Sequence, residues 1–374
     1  MSQEAIIEAA AGIFARLNAE QIDPAYAMAS DIPLELSGEA VRARLCVFTD
    51  HRGNEMVMRP DLTLPVAGQE ARRRIAGDTD AKSYTYAARA FRLPASRDDQ
   101  LEFTQVGFER FGDASTPRAD AEAFVLVQDA VAACGVETFG SATGDLRLFP
   151  AVVDALGLSS LMSDLLKRAF RQEGGVKKLI DKAPSAPDAD VLSALDSDDV
   201  RGAVRQVMSA RGIDLIGTRS LDEIIEGLQA KATAAAIGGV PKAAADVLLA
   251  LQNINCPLED APDALKALVA EHELTGLDKI IGAIAERIDL MKKDVAGEVA
   301  KSRFRSGYGR RFTYYDGFVF DTFGQNLSTN RPVASGGRYD GLISGLSGGK
   351  TSASAIGGVV RPDRVARASG EASS

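Results

Sequence analysis

β-strand character in this 374-residue chain comes in two blocks, with a long stretch of helical period between them. The first block holds RLCVFTD, NEMVMRP, SYTYAARAFRL and LEFTQVGFERFG, from Arg44 to Gly112. The second opens with RRFTYYDGFVFDTF at Arg310 and continues through RPVASGG and SASAIGGVV. Between about Asp145 and Lys301 stand LSSLMSDLLKRAF, LDEIIEGLQAKATAAA, KAAADVLLALQN and LDKIIGAIAERIDLMKK. Each places apolar residues at helical spacing, and the Pro/Gly clusters KAPSAPDADV and GGVPK separate them. A sheet has to be assembled from segments far apart in the chain. No strand–helix–strand rhythm repeats, which argues against a doubly wound parallel sheet and for an α+β fold of antiparallel strands with helices.

Local signals refine this. RLCVFTD and NEMVMRP flank HRG and predict a hairpin turning near Gly53. TLPVAGQEARRRIA predicts a helix with Thr63 as its cap, and Arg72 to Arg74 read as a solvated helix face. SYTYAARAFRL and LEFTQVGFERFG, divided by the polar break Pro94 to Gln100, are expected to pair antiparallel. ADAEAFVLVQDAVAACG predicts a helix ending at Gly135, and residues 3–18 an amphipathic helix.

Composition bounds the function. The 45% apolar content suffices for two or three cores, and no run of 18 apolar residues offers a membrane span. The start, MSQEAIIEAAAGIFARLNAE, has neither the basic opening nor the cleavage site of a signal peptide. Cys46, Cys134 and Cys256 are an odd, widely spaced set that suits reduced thiols in a cytoplasm. A net charge of −9 disfavours nucleic acid as the main partner. With only His51 and His272, histidine-based acid–base chemistry or a zinc site has little material, and no metal or cofactor is expected.

Polar residues inside the β runs mark a candidate pocket. At strand period two, Phe103, Gln105, Gly107, Glu109 and Phe111 share one face. Gly107 leaves room between an amide and a carboxylate for a small ligand. Arg92, in FRLP, ends the neighbouring run and is suited to grip a carboxylate; a lone arginine is otherwise a solvated one. MRPDLT sets Asp61 and Thr63 at a strand-to-helix junction, either as caps or as a carboxylate for a ligand amine. Tyr314 and Tyr315 are expected on opposite faces of a strand, so that one of them lines the pocket. ASGGRYDGLI has no GK[ST] and no strand–GxGxxG–helix context, which leaves a phosphate-binding reading poor.

Taken in order, these segments resemble the catalytic core of histidyl-tRNA synthetase. FTDHRGNEMVMRPDLT is similar to that family's "FTDRxGxxLALRPEGT", and AFRLPASRDDQLEFTQVGFERFG to its motif 2. GRRFTYYDGFVFD is similar to "RGLDYYTGxVFE", ASGGRYDGLI to "AGGRYDGL", and AIGGVVRPDRV to motif 3. The resemblance covers residues 30–135 and 305–366. It implies a class II synthetase-like, six-stranded antiparallel sheet flanked by helices, dimerising around Pro33 to Gly38. Core segments at 1–145 and 301–366 would enclose a helical insertion at 146–300, with a flexible tail at 367–374 and no anticodon-binding domain. It carries histidine-pocket roles onto Asp61, Thr63, Arg92, Gln105, Glu109, Arg310, Tyr315 and Tyr339. Asp61 would meet the amine with Gln105, Arg92 the carboxylate, and Glu109, Tyr315 and Tyr339 the imidazole, with Arg310 nearby.

The departures point away from catalysis. Pro94 replaces the motif 2 glutamate, and Asp98 and Asp99 occupy a loop that is basic in the family. Arg361 replaces a motif 3 glycine and is expected to obstruct the adenine site. A synthetase core altered in this way resembles the regulatory subunits of ATP phosphoribosyltransferase. That resemblance implies a non-catalytic partner of a short catalytic subunit in the first step of histidine biosynthesis, with L-histidine as effector. The alternatives are a truncated synthetase-like enzyme that activates histidine or another amine, and a tRNA-binding module.

Overall fold

The computed structural model describes residues 1–36, 39–96, 99–113, 116–136, 139–172, 174–181, 186–213, 220–237, 239–308, 313–324 and 331–369. Its strands are β1 (Glu20–Gln21), β2 (Ala27–Ala29), β3 (Val47–Thr49), β4 (Glu55–Met58), β5 (Lys82–Phe91), β6 (Glu102–Phe111), β7 (Phe139–Asp145), β8 (Asn255–Pro257), β9 (Arg303–Arg305), β10 (Phe318–Gly324), β11 (Ala334–Arg338) and β12 (Ala355–Val360). Its helices are α1 (Gln3–Phe14), α2 (Asp31–Leu36), α3 (Glu39–Arg42), α4 (Thr63–Ile75), α5 (Thr116–Ala133), α6 (Leu148–Ala155), α7 (Ser160–Phe170), α8 (Gly175–Asp181), α9 (Ala189–Leu195), α10 (Val200–Ala210), α11 (Leu221–Ile237), α12 (Lys242–Asn253), α13 (Ala261–Glu271), α14 (Asp278–Lys301), α15 (Gly341–Leu346) and α16 (Pro362–Ala368).

The chain divides into two compact units. One comprises residues 1–148, 252–273 and 277–374; the other comprises 149–251 with 274–276. The helical stretch at 146–300 is thus shared, because α13 and α14 belong to the first unit and α7 to α11 to the second.

The first unit is built on a sheet of order β1-β5-β6-β12-β11-β10-β7-β9-β8. Its centre, from β5 to β7, is six strands, each antiparallel to its neighbours, as the resemblance implies. Short strands extend both edges, with β1 parallel to β5 and β9 parallel to β7. The sheet is therefore mixed and wider than six. The β5–β6 pair sets the register: Tyr84 lies opposite Glu109, Tyr86 opposite Gly107 and Ala88 opposite Gln105. Directly paired residues share a face, so these six residues look the same way.

One face of the sheet packs on α5 and α1. Phe124 meets Phe320 edge-on at 5.2 Å, and Phe14 meets Phe108 at the same distance. Beneath them runs a buried charge network. Asp120 of α5 binds Arg338 of β11 at 2.7 Å and Arg287 of α14 at 3.1 Å, and Arg287 also reaches Asp145 of β7 at 3.2 Å. The Arg287 guanidinium lies 4.1 Å from the centre of the Phe318 ring. The other face carries the core of Leu62, Leu64, Val66, Tyr84, Phe103 and Ile343, which α4 and α15 cover.

A smaller sheet, β2-β4-β3, includes the expected hairpin; Gly53 turns it at φ +84°, and the Asp50 carboxylate accepts the Arg52 and Asn54 amides. The second unit is all helix among its described residues. It packs Val204 and Met208 of α10 against Ala194, Leu221 and Ile225, with Ser159 and Asp199 capping α7 and α10.

Three local expectations are corrected. Arg73 and Arg74 are not a solvated face: both grip the fully buried Glu70 carboxylate, which also accepts the Tyr84 hydroxyl. Thr63 does not cap α4; the Asp61 carboxylate accepts the Leu64 amide at 3.0 Å instead. Tyr314 and Tyr315 precede the strand, which begins at Phe318, so they do not face opposite ways. Both rings pack against Tyr339, at 5.8 and 6.1 Å.

Candidate functional site

The centre of the site is the Glu109 carboxylate, 1% exposed on the α4-covered face. It accepts three hydroxyls: Thr63 at 2.7 Å, Tyr86 at 2.9 Å and Tyr339 in a short bond. Glycines make the space. A side chain at Gly357, directly opposite Glu109 on β12, would overlap this carboxylate. One at Gly107 would come within 2.8 Å of the Tyr86 hydroxyl, and one at Gly337 within 2.9 Å of the Tyr315 ring.

Asp61, Gln105 and Arg92 gather at the turn that starts α4. Asp61 caps the helix with one oxygen and accepts the Tyr314 hydroxyl at 3.1 Å with the other. Gln105 accepts the Leu62 amide at 3.1 Å, and Arg92 donates to the Pro60 carbonyl at 2.7 Å. Of the eight residues expected in the pocket, seven thus converge here; Tyr315 joins through its ring. Arg310 lies outside the described residues.

Burial sets the electrostatics. Desolvation raises the Glu109 pKa to about 7, against the lowering effect of its three hydroxyl donors. Asp61 is likewise raised by desolvation, opposed by the Leu64 amide and the Arg92 charge. Arg92 falls to about 10, first through desolvation and then through the charge of Arg361. Tyr86, Tyr314 and Tyr339 are pushed well above 10 by burial, so they remain hydroxyl donors at neutral pH. Two buried carboxylates and one buried cation complement a small ligand carrying both charge signs. Among the described residues, no group of three His, Cys, Asp or Glu side chains is placed to hold a metal.

Beside this cluster the site is filled. The Arg361 guanidinium lies 3.7 Å from the centre of the Phe103 ring and is fixed by two bonds that it donates to the Asp363 carboxylate, at 2.9 and 3.0 Å. Asp99, in the loop that is basic in the family, is held by Arg44 at 3.2 Å and Arg331 at 3.4 Å. Asp98 lies outside the described residues.

Sequence reasoning missed Tyr86 and nominated Tyr315 over Tyr314. Tyr86 had a signal: it shares strand parity with Tyr84 and Ala88 and falls opposite the one glycine of β6. Tyr314 had none, because a turn before a strand has no period from which to read direction.

The ASGGRYDGLI stretch also has its explanation. Gly336 and Gly337 lie in the close-packed part of β11, and Arg338 turns away to Asp120. Tyr339 points at Glu109. Asp340 accepts the Ala355 amide at 2.7 Å, and Asp316 accepts the Gly341 amide at 2.6 Å.

A central antiparallel sheet with helices on both faces, and a buried polar cluster on one of them, defines a class II synthetase-like core. The family description "Histidyl-tRNA synthetase" matches residues 2–214 and 200–365, and the chain belongs to this family. The chain is 28% identical over 369 residues to an ATP phosphoribosyltransferase regulatory subunit from a Chelativorans strain, covering 96% of both proteins. It is 29% identical over 374 residues to the regulatory subunit from Sinorhizobium medicae, covering 96% of this chain and 95% of that one. Two solved structures share the fold. One is an ATP phosphoribosyltransferase regulatory subunit/histidyl-tRNA synthetase from Bacillus halodurans, with a TM-score of 0.64 and 19% identity over 98% of this chain and 78% of that one. The other is a histidyl-tRNA synthetase from Nostoc, with a TM-score of 0.62 and 13% identity over 98% of this chain and 70% of that one.

Proposed function

We propose that this chain is a non-catalytic regulatory subunit of ATP phosphoribosyltransferase, acting in the first step of histidine biosynthesis. It partners a short catalytic subunit and takes free histidine in the Glu109 pocket. The observation that carries the reading is the contrast between the two halves of the site. The polar cluster on Glu109 and Asp61 is intact, whereas Arg361, held by Asp363, covers the Phe103 ring next to it. A polar cluster with the charge pattern to suit an amino acid stands beside a half covered by Arg361, which suits sensing better than activation. The similarity to regulatory subunits over about the full length supports the same assignment.

In the bound state Asp61 faces the amine of histidine and Arg92 its carboxylate. Glu109 takes an imidazole N–H, displacing at least one of its present hydroxyl donors. Arg310 is assigned to the same pocket from the family resemblance alone. Self-association as a dimer around Pro33 to Gly38 belongs to this reading. Histidine alters the partner only if it binds two states of the complex with different affinity.

The deciding experiment adds purified chain to a short-form catalytic subunit and follows phosphoribosyl transfer, with and without histidine. Activation, with inhibition by histidine, is expected. Pyrophosphate exchange driven by ATP and histidine, with no activation, would replace this reading with a histidine-activating enzyme.

A further inference from the structure

On the histidine reading of this pocket, we infer that the ligand is held with its ring as the imidazolium. Each histidine that binds at alkaline pH then takes one proton from solvent, and that proton is kept between the ring and Glu109.

The groups around Glu109 offer it hydrogen bonds rather than a positive charge. Thr63, in the first turn of α4, and Tyr86 of β5 both donate to its Oε1, and Tyr339, after β11, donates to its Oε2. A carboxylate oxygen has two accepting positions, so Oε1 is filled and one position is left on Oε2. On β12 the neighbour is Gly357, which has no side chain. Tyr84, opposite on β5, turns to Glu70, and Gln105 of β6 is engaged by the Leu62 amide. The charges of the cluster are Asp61 and Arg92. Asp61 repels the Glu109 carboxylate, and the Arg92 charge acts on Asp61. Arg361, beyond Arg92, is matched by Asp363. Two carboxylates against one guanidinium leave one negative charge in excess among the described residues.

Zwitterionic histidine with a neutral ring adds no net charge to this site, whereas the imidazolium cancels the excess. Burial of uncompensated charge is costly, which favours the cation. Glu109 itself is under opposing pulls. Its three hydroxyl donors suit the carboxylate, but burial outweighs them and lifts its pKa to about 7. An imidazole titrates at about 6.5, so the two groups are matched and a proton is readily held between them. The rings of Tyr314, Tyr315 and Tyr339 stand with their centres 4.7 to 6.1 Å apart, and ring faces attract a flat cation more than a neutral ring. Arg310 lies outside the described residues. A cation contributed from there would cancel the excess, and its signature would be binding without proton uptake.

The test titrates L-histidine into the full chain by calorimetry, in buffers of different ionisation enthalpy, which reads the protons taken up. Near pH about 6.7, between the two pKa values, free chain and free ligand carry about one proton between them, and uptake should be close to zero. At pH 8 both groups are deprotonated when apart, so uptake should approach about one proton per histidine, and affinity should fall about tenfold from pH 7.5 to 8.5. Glu109→Gln, verified as folded by circular dichroism, should bind more weakly and without uptake at pH 8. A triazole analogue of histidine, whose ring stays neutral over this range, should bind the parent chain about tenfold more weakly than histidine, which tests the same point without a variant. Histidine binding with no uptake and constant affinity from pH 7.5 to 8.5 would overturn the inference and leave the pocket in place. Undiminished uptake by folded Glu109→Gln would put the proton elsewhere and overturn it as well. No binding of histidine at any pH would overturn the pocket reading and the imidazolium with it.

Discussion

Glu109 is the residue on which the proposed pocket turns, and its environment makes two testable demands. Between pH about 4.5 and about 7 the folded chain holds a proton on Glu109 that the unfolded chain releases. Stability from this group therefore falls as pH rises through that window. Urea unfolding of Glu109→Gln and its parent at pH 5 and pH 8 should show a smaller drop in the variant, because the titrating group is gone. The same variant should lose at least tenfold in histidine affinity by calorimetry; unchanged binding would remove Glu109 from the pocket. Tyr86→Phe tests a neighbour that sequence reasoning passed over. Its hydroxyl is one of three on Glu109, so its loss should cost about 1 kcal/mol in urea unfolding and raise the Glu109 pKa further. What was legible at this scale were side chains on regular strands: Gln105, Gly107 and Glu109 follow from period two. A partner set by a turn, such as Tyr314 on Asp61, was not, and the burial of Glu70, which turns its i+3 and i+4 arginines inward, came only with the packing of α4 on the sheet.

Among the elements, α5 has the most exacting place. Its Asp120 is wholly buried and joins β11 through Arg338 and α14 through Arg287, so one carboxylate ties three elements together. Breaking a buried ion pair from one side leaves charges without compensation. Asp120→Ala should therefore destabilise the first unit by about 3–5 kcal/mol, measured by urea unfolding followed through tyrosine emission. Arg338 precedes Tyr339, so loosening β11 here should also weaken ligand binding at Glu109. The sequence announced α5 and β11 as elements through their periodicity and glycines. It did not announce the tether, since Asp120, Arg287 and Arg338 are 218 residues apart at the extremes and only the closed sheet brings them together. The short strands β1, β8 and β9 were missed for a related reason: two or three residues are too few to establish a period, and pairing alone makes them strands.

At the scale of the whole molecule, the division into two units predicts a particular unfolding behaviour. The chain has seven tyrosines and no tryptophan, and Tyr26, Tyr84, Tyr86, Tyr308, Tyr314, Tyr315 and Tyr339 all lie in the first unit. Tyrosine emission therefore reports that unit alone, while far-ultraviolet circular dichroism reports the helices of both. The second unit has the smaller buried cluster, built on Val204, Met208 and Leu221. In rising urea its ellipticity should be lost before tyrosine emission changes; coincident curves would mean that the two units unfold as one. The blocks of β and helical character are visible in the sequence itself. The extension of α13 and α14 into the sheet-bearing unit lay beyond what composition records. The same interruption has a consequence for how the protein is made. Glu109 sits against Gly357, its neighbour on β12, and the entire second unit is synthesised between them. On the ribosome the first two long strands emerge with one edge of β6 bare and wait for the last hundred residues to close the floor of the pocket. The pocket is then among the final features to form, so a chain able to hold a ligand there has already completed its sheet.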